Sequence, residues 1–312
     1  MRWRTTIRRH ARRATAWLKP SVDHAIGLLA VFLLKTFRRA NPDRSVAFAA
    51  RALRRLGPWL PEHHTGRSNL IAAFPEKPPA EIEEILAGAW ENLGRIGAEF
   101  PNLDRFNLDR VLEPDSRVKI DERTLERFIR LREDGKPALL FSAHVANWEL
   151  PAVVAAANGL PTSILYRRPN ITAIADAIQN IRSVNMGNLI SAKGVDAAFK
   201  IAAALENGEH VGLLVDQHFA RGVDVTFFGR TCKANPILAR MARRFECPIH
   251  GARVIRLPDG RFRMELTEEI APARDAAGLV DVTGTMQIVT SVVEEWVREY
   301  PEQWLWLHRR WR

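Results

Sequence analysis

Residues 139–150 read LLFSAHVANWEL: an apolar run of strand length leads into His144, and five positions on stands Glu149. Histidine titrates near neutrality and can take a proton from a hydroxyl, provided that a neighbour fixes its tautomer and stabilises the imidazolium that forms. Glu149 is the neighbour that the spacing offers. Five residues is an awkward separation on a regular helix, where partners meet at three or four, so the pair needs a strand-to-helix turn that folds the carboxylate back. The same residues also suit a plainer role, His144 capping the next helix and Glu149 sitting in its first turn. Ser142 is two residues from the histidine, but no GxSxG elbow surrounds it, and it reads as a strand-end residue.

Other polar residues follow apolar runs in the same way. Arg167 and Arg168 come after PTSILY, and Asp216 and Gln217 close EHVGLLVDQ. In open α/β sheets, ligands gather beyond the carboxyl ends of the strands. Parallel strands would therefore bring all of these residues to the rim occupied by His144. A guanidinium there could stabilise a developing oxyanion or grip a phosphate. Asp216 and Gln217 could bind polar substrate groups, brace the site, or simply cap a turn.

The elements that must position these residues alternate. PAEIEEILAGAWENLGRIGAEF carries Ile82, Ile85, Leu86, Trp90, Leu93 and Phe100 at helical spacing, with acids concentrated in its first turns. DERTLERFIRLRED, ITAIADAIQNIR and TGTMQIVTSVVEEWVREY also read as helices. GKPALLFSAH, PTSILY, EHVGLLVD and CPIHGARVI read as strands, and RFRMELTEEI, with its alternating polar positions, as a more exposed edge strand. The expectation is an α/β fold with a central mixed sheet flanked by helices, organised as a basic N-terminal segment and anchor helix (1–40) and one domain (41–312).

Charge and composition narrow the partners. The 312 residues suffice for a sizeable core, and 46% hydrophobic with 26% charged excludes wholesale disorder. Lys and Arg outnumber Asp and Glu by 46 to 36, and the resulting +10 favours anionic partners: nucleic acid, acidic lipid or an acidic protein. Residues 1–20 hold seven Lys or Arg and no acid, and HAIGLLAVFLL follows at 24–34. That uncharged run is short for a crossing, which needs roughly 20 apolar residues. KTFRRANPDR offers no small-residue cleavage site, so a retained anchor lying in or dipping into an anionic membrane is expected, with an ordinary core helix as the alternative. The tail PEQWLWLHRRWR sets Trp304, Trp306 and Trp311 beside Arg309, Arg310 and Arg312, which suits a membrane interface or a last packed strand. Cys232 and Cys247 have no CxxC or Cys/His spacing, GRIG lacks the context of a dinucleotide loop, and there is no Walker motif. No metal or organic cofactor is called for.

HVANWEL resembles the His-x4-Asp/Glu signature of glycerolipid-type acyltransferases, in the form found in the bacterial lipid A biosynthesis (lauroyl/myristoyl) acyltransferase family. SNLIAAFPE (68–76), WENLGRIGAEF (90–100), ILYRRPN (164–170), LLVDQ (213–217), VTFFGR (225–230) and PEQWLWLHRRWR (301–312) look like further blocks of that family, in the same order, over roughly residues 25–312. The resemblance implies transfer of a fatty acyl group from acyl carrier protein to a hydroxyl of a lipid A precursor at the cytoplasmic face of a bacterial inner membrane, with no cofactor and no nucleic acid. It implies His144 as general base with Glu149 orienting it, and favours Arg167 over Arg168 by match to the Tyr-Arg block. Cys232 and Lys233 stand near positions that are usually small or hydroxylic in the family, which leaves the acyl pocket and chain length open. A related enzyme using acyl-CoA or another glycolipid or aminolipid acceptor would show the same pair. A non-catalytic basic protein binding membrane or nucleic acid is the alternative outside enzymes.

Overall fold

The computed structural model describes residues 2–311 apart from 114–115, 161 and 192–195, with side chains from residue 20 onward. Arg312 and the side chains of the basic stretch before Pro20 therefore lie outside the described residues.

Four helices come first: α1 (Arg2–Arg39), α2 (Pro42–Leu56), α3 (Pro61–Ala73) and α4 (Pro79–Glu99). Asn41 caps α2 by accepting from the amide of Arg44, with Pro42 at the first position, where a missing N–H costs nothing. The helix packs closely on α4, because a side chain at Gly94 would run into the backbone of Ala49. Alternation then sets in: β1 (Val118–Ile120), α5 (Glu122–Glu133), β2 (Leu139–Ser142), α6 (Leu150–Ala157), β3 (Thr162–Tyr166), α7 (Thr172–Asn185), β4 (Asn188–Ser191), α8 (Asp196–Glu206) and β5 (His210–Leu214). A hairpin, β6 (Val223–Phe227) and β7 (Arg230–Ala234), turns through Phe228 and Gly229, both at positive φ as a two-residue hairpin turn demands. The chain ends with α9 (Ile237–Phe245), β8 (Ile249–Arg256), β9 (Phe262–Leu266), α10 (Val282–Glu299) and an irregular tail.

Seven strands form one sheet in the order β1-β9-β8-β2-β5-β3-β4. From β8 to β4 the strands run parallel, and β9 and β1 run the other way, so the sheet is mixed as expected. β9 shows the anticipated alternation, with Phe262, Met264 and Leu266 buried and Arg263 and Glu265 partly exposed. It is not the edge strand, however. The three-residue β1 covers it, an element too short to register as a periodic run.

Two expectations about the termini change. The apolar part of α1, Pro20–Arg39, is a 20-residue segment with a mean hydropathy of 1.3, long enough to cross a bilayer once the whole helix rather than its uncharged stretch is counted. Only 6% of its apolar window is buried, and Leu28, Leu29 and Phe32 are more than half exposed, which sets aside the core-helix alternative. The tail behaves in the opposite way. Trp304 and Trp306 are 1% and 0% exposed and belong to the core, not to a membrane interface. Trp311 stacks on Phe227, Arg310 is buried over the same ring, and Arg309 is exposed. The tail makes one isolated bridge, Val145 with Trp304, rather than a strand.

Candidate active site

The register of the sheet brings a histidine and a carboxylate together. Ser142 pairs with Leu214 across β2 and β5. Two residues beyond each on these parallel neighbours come His144 and Asp216, and a separation of two keeps both side chains on the same face. Asp216 Oδ1 lies 2.8 Å from His144 Nδ1, and Oδ2 accepts the backbone N–H of His144 at 2.8 Å and the indole N–H of Trp304 at 2.7 Å. The Asp216 side chain is wholly buried and that of His144 is 12% exposed. Burial alone would push the Asp216 carboxyl up; the charge and hydrogen bonds of His144 outweigh it and hold the group well below the usual carboxylate range. An ionised acceptor at Nδ1 fixes the proton there and leaves Nε2 with its lone pair. The Gln217 amide nitrogen lies 3.4 Å from Nε2.

The carboxylate in contact with His144 is thus Asp216, and the expected contact from Glu149 is absent. Residues 144–149 make a tight turn with Ala146 at φ 46, which carries Glu149 away toward α7. There its two oxygens accept Nε and Nη2 of Arg182 at 2.9 and 2.5 Å, and Oε1 also accepts the Trp148 indole at 3.0 Å. The Trp148 ring stands edge-on to His144 with centroids 4.9 Å apart, so Glu149 reaches the imidazole only through that ring. Arg182 lies between the rings of Phe100 and Tyr166. Reading its helix for isoleucine spacing passed over it.

A cavity of about 590 Å³ opens beside His144 and runs across one face of the sheet. Its lining includes His144 and Trp148 with the exposed Arg167 and Gln217, and the buried Phe128 and Leu131 of α5 with Leu266 of β9. The volume falls in the range of small-molecule sites, and the lining is predominantly apolar. The arginine doublet separates here. Arg168 is tied to Asp176 and Gln179 on α7, whereas the exposed Arg167 lines the cavity with no ion-pair partner among the described residues. Ser142 also lines the cavity, at the end of β2. Among the described residues no group of three or more His, Cys, Asp or Glu is arranged to hold a metal ion.

Distant segments hold this turn. Asn147, fully buried, donates to Glu99 at 2.9 Å, and Glu99 is paired in turn with Arg256. Asn92 donates to the carbonyls of Ala146 and Gln303. Asn69 donates to those of Trp306 and His308, both at 2.7 Å. His308 packs 6.3 Å from His144 and 5.6 Å from Trp304, and burial lowers its pKa.

A mixed α/β sheet thus carries a His–Asp pair beside an apolar cavity, and an apolar helix consistent with membrane anchoring stands near the N-terminus. The chain belongs to the bacterial lipid A biosynthesis acyltransferase family, whose model matches residues 6–312. No curated protein matches it.

Proposed function

We propose that this acyltransferase moves a fatty acyl group from an acyl carrier protein thioester to a hydroxyl of a lipid A precursor, with His144 as general base. The observation that carries the reading is the imidazole whose Nδ1 is held by buried Asp216 and which lines a predominantly apolar cavity. An alcohol attacks a thioester well only as its proton leaves, and Nε2 takes that proton while Asp216 stabilises the imidazolium. The acceptor oxygen attacks the thioester carbonyl directly, without an acyl-enzyme; collapse of the tetrahedral intermediate breaks the C–S bond, and the departing carrier thiolate takes the proton from the imidazolium and leaves as the thiol. The acyl chain lies in the cavity, and Arg167, which lines it with no ion-pair partner among the described residues, supplies positive charge to the oxyanion or to a phosphate on either substrate. Glu149 and Arg182 act as a buried pair that braces Trp148 against His144. Residues 1–40 serve as the anchor and 41–312 as the transferase domain. The anchor and the +10 surface suit the anionic cytoplasmic leaflet, where an acidic carrier protein delivers the donor.

The test is transfer by detergent-solubilised protein from radiolabelled acyl carrier protein thioesters to a Kdo-bearing lipid A precursor, with an acyl-CoA series alongside. Wild type should give a product one acyl chain heavier. Folded His144→Ala and Asp216→Asn should be slower by ~10²–10⁴-fold, the scale of a lost general base or its carboxylate partner. Equal rates for wild type and His144→Ala would remove the base. Product from acyl-CoA alone would replace the donor.

A further inference from the structure

The C-terminal tail is bound to the turn after His144 on both sides of Val145. The amide of Ala146 donates to the carbonyl of Gln303 at 2.9 Å, and the amide of Leu305 donates to the carbonyl of His144 at 3.0 Å. Between these two bonds the buried side chain of Trp304 turns inward, and its Nε1–H reaches Asp216 Oδ2 at 2.7 Å. The ring is fixed perpendicular to Trp306, with centroids 4.5 Å apart, and packs against Phe227. Tryptophan brings a large apolar body and a single donor, and a buried indole N–H normally finds an acceptor. Here the acceptor is the carboxylate that holds the His144 ring.

We infer that Trp304 is a positioning residue for acyl transfer: its indole N–H fixes the Asp216 carboxylate in the orientation that presents Oδ1 to His144 Nδ1. The inference rests on the His144–Asp216 reading above. Asp216 takes three donors in all: the His144 amide and the Trp304 indole on Oδ2, and the His144 ring on Oδ1. The Trp304 bond opposes rotation of the carboxylate. It also draws charge toward Oδ2 and so tempers the pull of Oδ1 on the imidazolium. The other titratable or charged groups acting on Asp216 are His308 and Arg310, both from the same tail.

The test removes the N–H and keeps the ring. β-(3-Benzothienyl)alanine, incorporated at position 304, replaces the indole N–H by sulfur at nearly constant shape, and Trp304→Phe is the genetically simple companion. Two readouts are followed in the full-length protein in detergent: kcat and KM for acyl transfer against pH, and the NMR titration of the His144 ring, identified by its absence in His144→Ala. The expected result is a kcat lower by roughly ten- to a hundredfold, the scale of a lost hydrogen bond to a charged group, with KM unchanged. The acid limb of the rate profile and the His144 titration should both move to higher pH, because charge returns to Oδ1. A folded benzothienyl variant with the wild-type rate and titration overturns the inference, as does a uniform rate loss with neither curve displaced, which would mean packing alone. Full activity in His144→Ala would instead sink the underlying dyad reading. The titration needs no substrate, so it decides the role of Trp304 even if the acyl donor has been misassigned.

Discussion

Glu149→Gln separates two accounts of the carboxylate five residues after His144. If Glu149 oriented the imidazole, its loss would leave folding intact and abolish turnover. The structure instead pairs it with Arg182 through two hydrogen bonds, with side chains only 7% and 16% exposed. Removing one partner of a buried pair costs about 3–5 kcal/mol, because the other charge stays buried without compensation. The residual exposure of Arg182 points to the lower end. At about 2–4 °C per kcal/mol for a domain of this size, ~3 kcal/mol lowers Tm by roughly 6–12 °C. Turnover should also fall, by up to about 10²-fold, because Trp148 loses its anchor and His144 its neighbour. Arg182→Met should be similarly destabilised, and the double variant should recover most of the stability, since no lone charge remains. Thermal melts of the four proteins close a double-mutant cycle, with acyl transfer measured on the same samples. A Glu149→Gln protein that melts like wild type, loses at least ~10³-fold in kcat and shows no coupling to Arg182 would refute this reasoning.

Three further outcomes follow from the geometry. Gly212 lies on the cavity face of β5, and a Cβ there would come within 2.8 Å of Ile164, so Gly212→Leu should divide the cavity and shift products from mixed thioesters toward shorter chains. Mass spectrometry of the acylated product reads this, and an unchanged distribution would take the acyl chain out of the cavity. Burial pushes the Cys247 thiol up to about 11 and raises Cys232. At pH 8 the native Cys247 should therefore alkylate at least roughly 10²-fold more slowly than an ordinary thiol, and both cysteines should react freely in denaturant. Burial also lowers the pKa of His210 and His308 below the unfolded value near 6.5. The unfolded chain then takes up these protons first, so stability is complete above about pH 6.5 and declines as pH falls toward the folded values. Tm should drop between pH 7.5 and 5.5, and a flat profile would contradict the buried neutral imidazoles.

Much of the architecture is written in local pattern, because each long element must bury one face on its own. Ile82, Ile85, Leu86 and Trp90 do so on α4, and the apolar runs at 139–142 and 210–214 become adjacent parallel strands. What local pattern cannot carry is partnership across the sheet. The three-residue β1 is too short to show a period, so β9 reads as an edge in the sequence. The tail tryptophans suit a membrane interface or a packed strand equally, because composition beside arginine does not reveal that Trp304 and Trp306 lie in the core.

The site divides along the same line. His144 stands out through its place after a strand, and Asp216 through the same argument applied to its own strand, so both belong to one rim. Their direct contact depends on strand order. In chain order β3 follows β2, and a reader pairing neighbours would set residues near Tyr166 beside His144. The sheet instead inserts β5 between β2 and β3, which moves a residue 72 positions away into register with the histidine. Glu149 was the carboxylate nearest in sequence, and the positive φ at Ala146 sends it to Arg182. The two ends of a six-residue motif can therefore have different partners: the acid is paired with Arg182 on α7, and the histidine's carboxylate partner is supplied by a strand that only topology brings alongside.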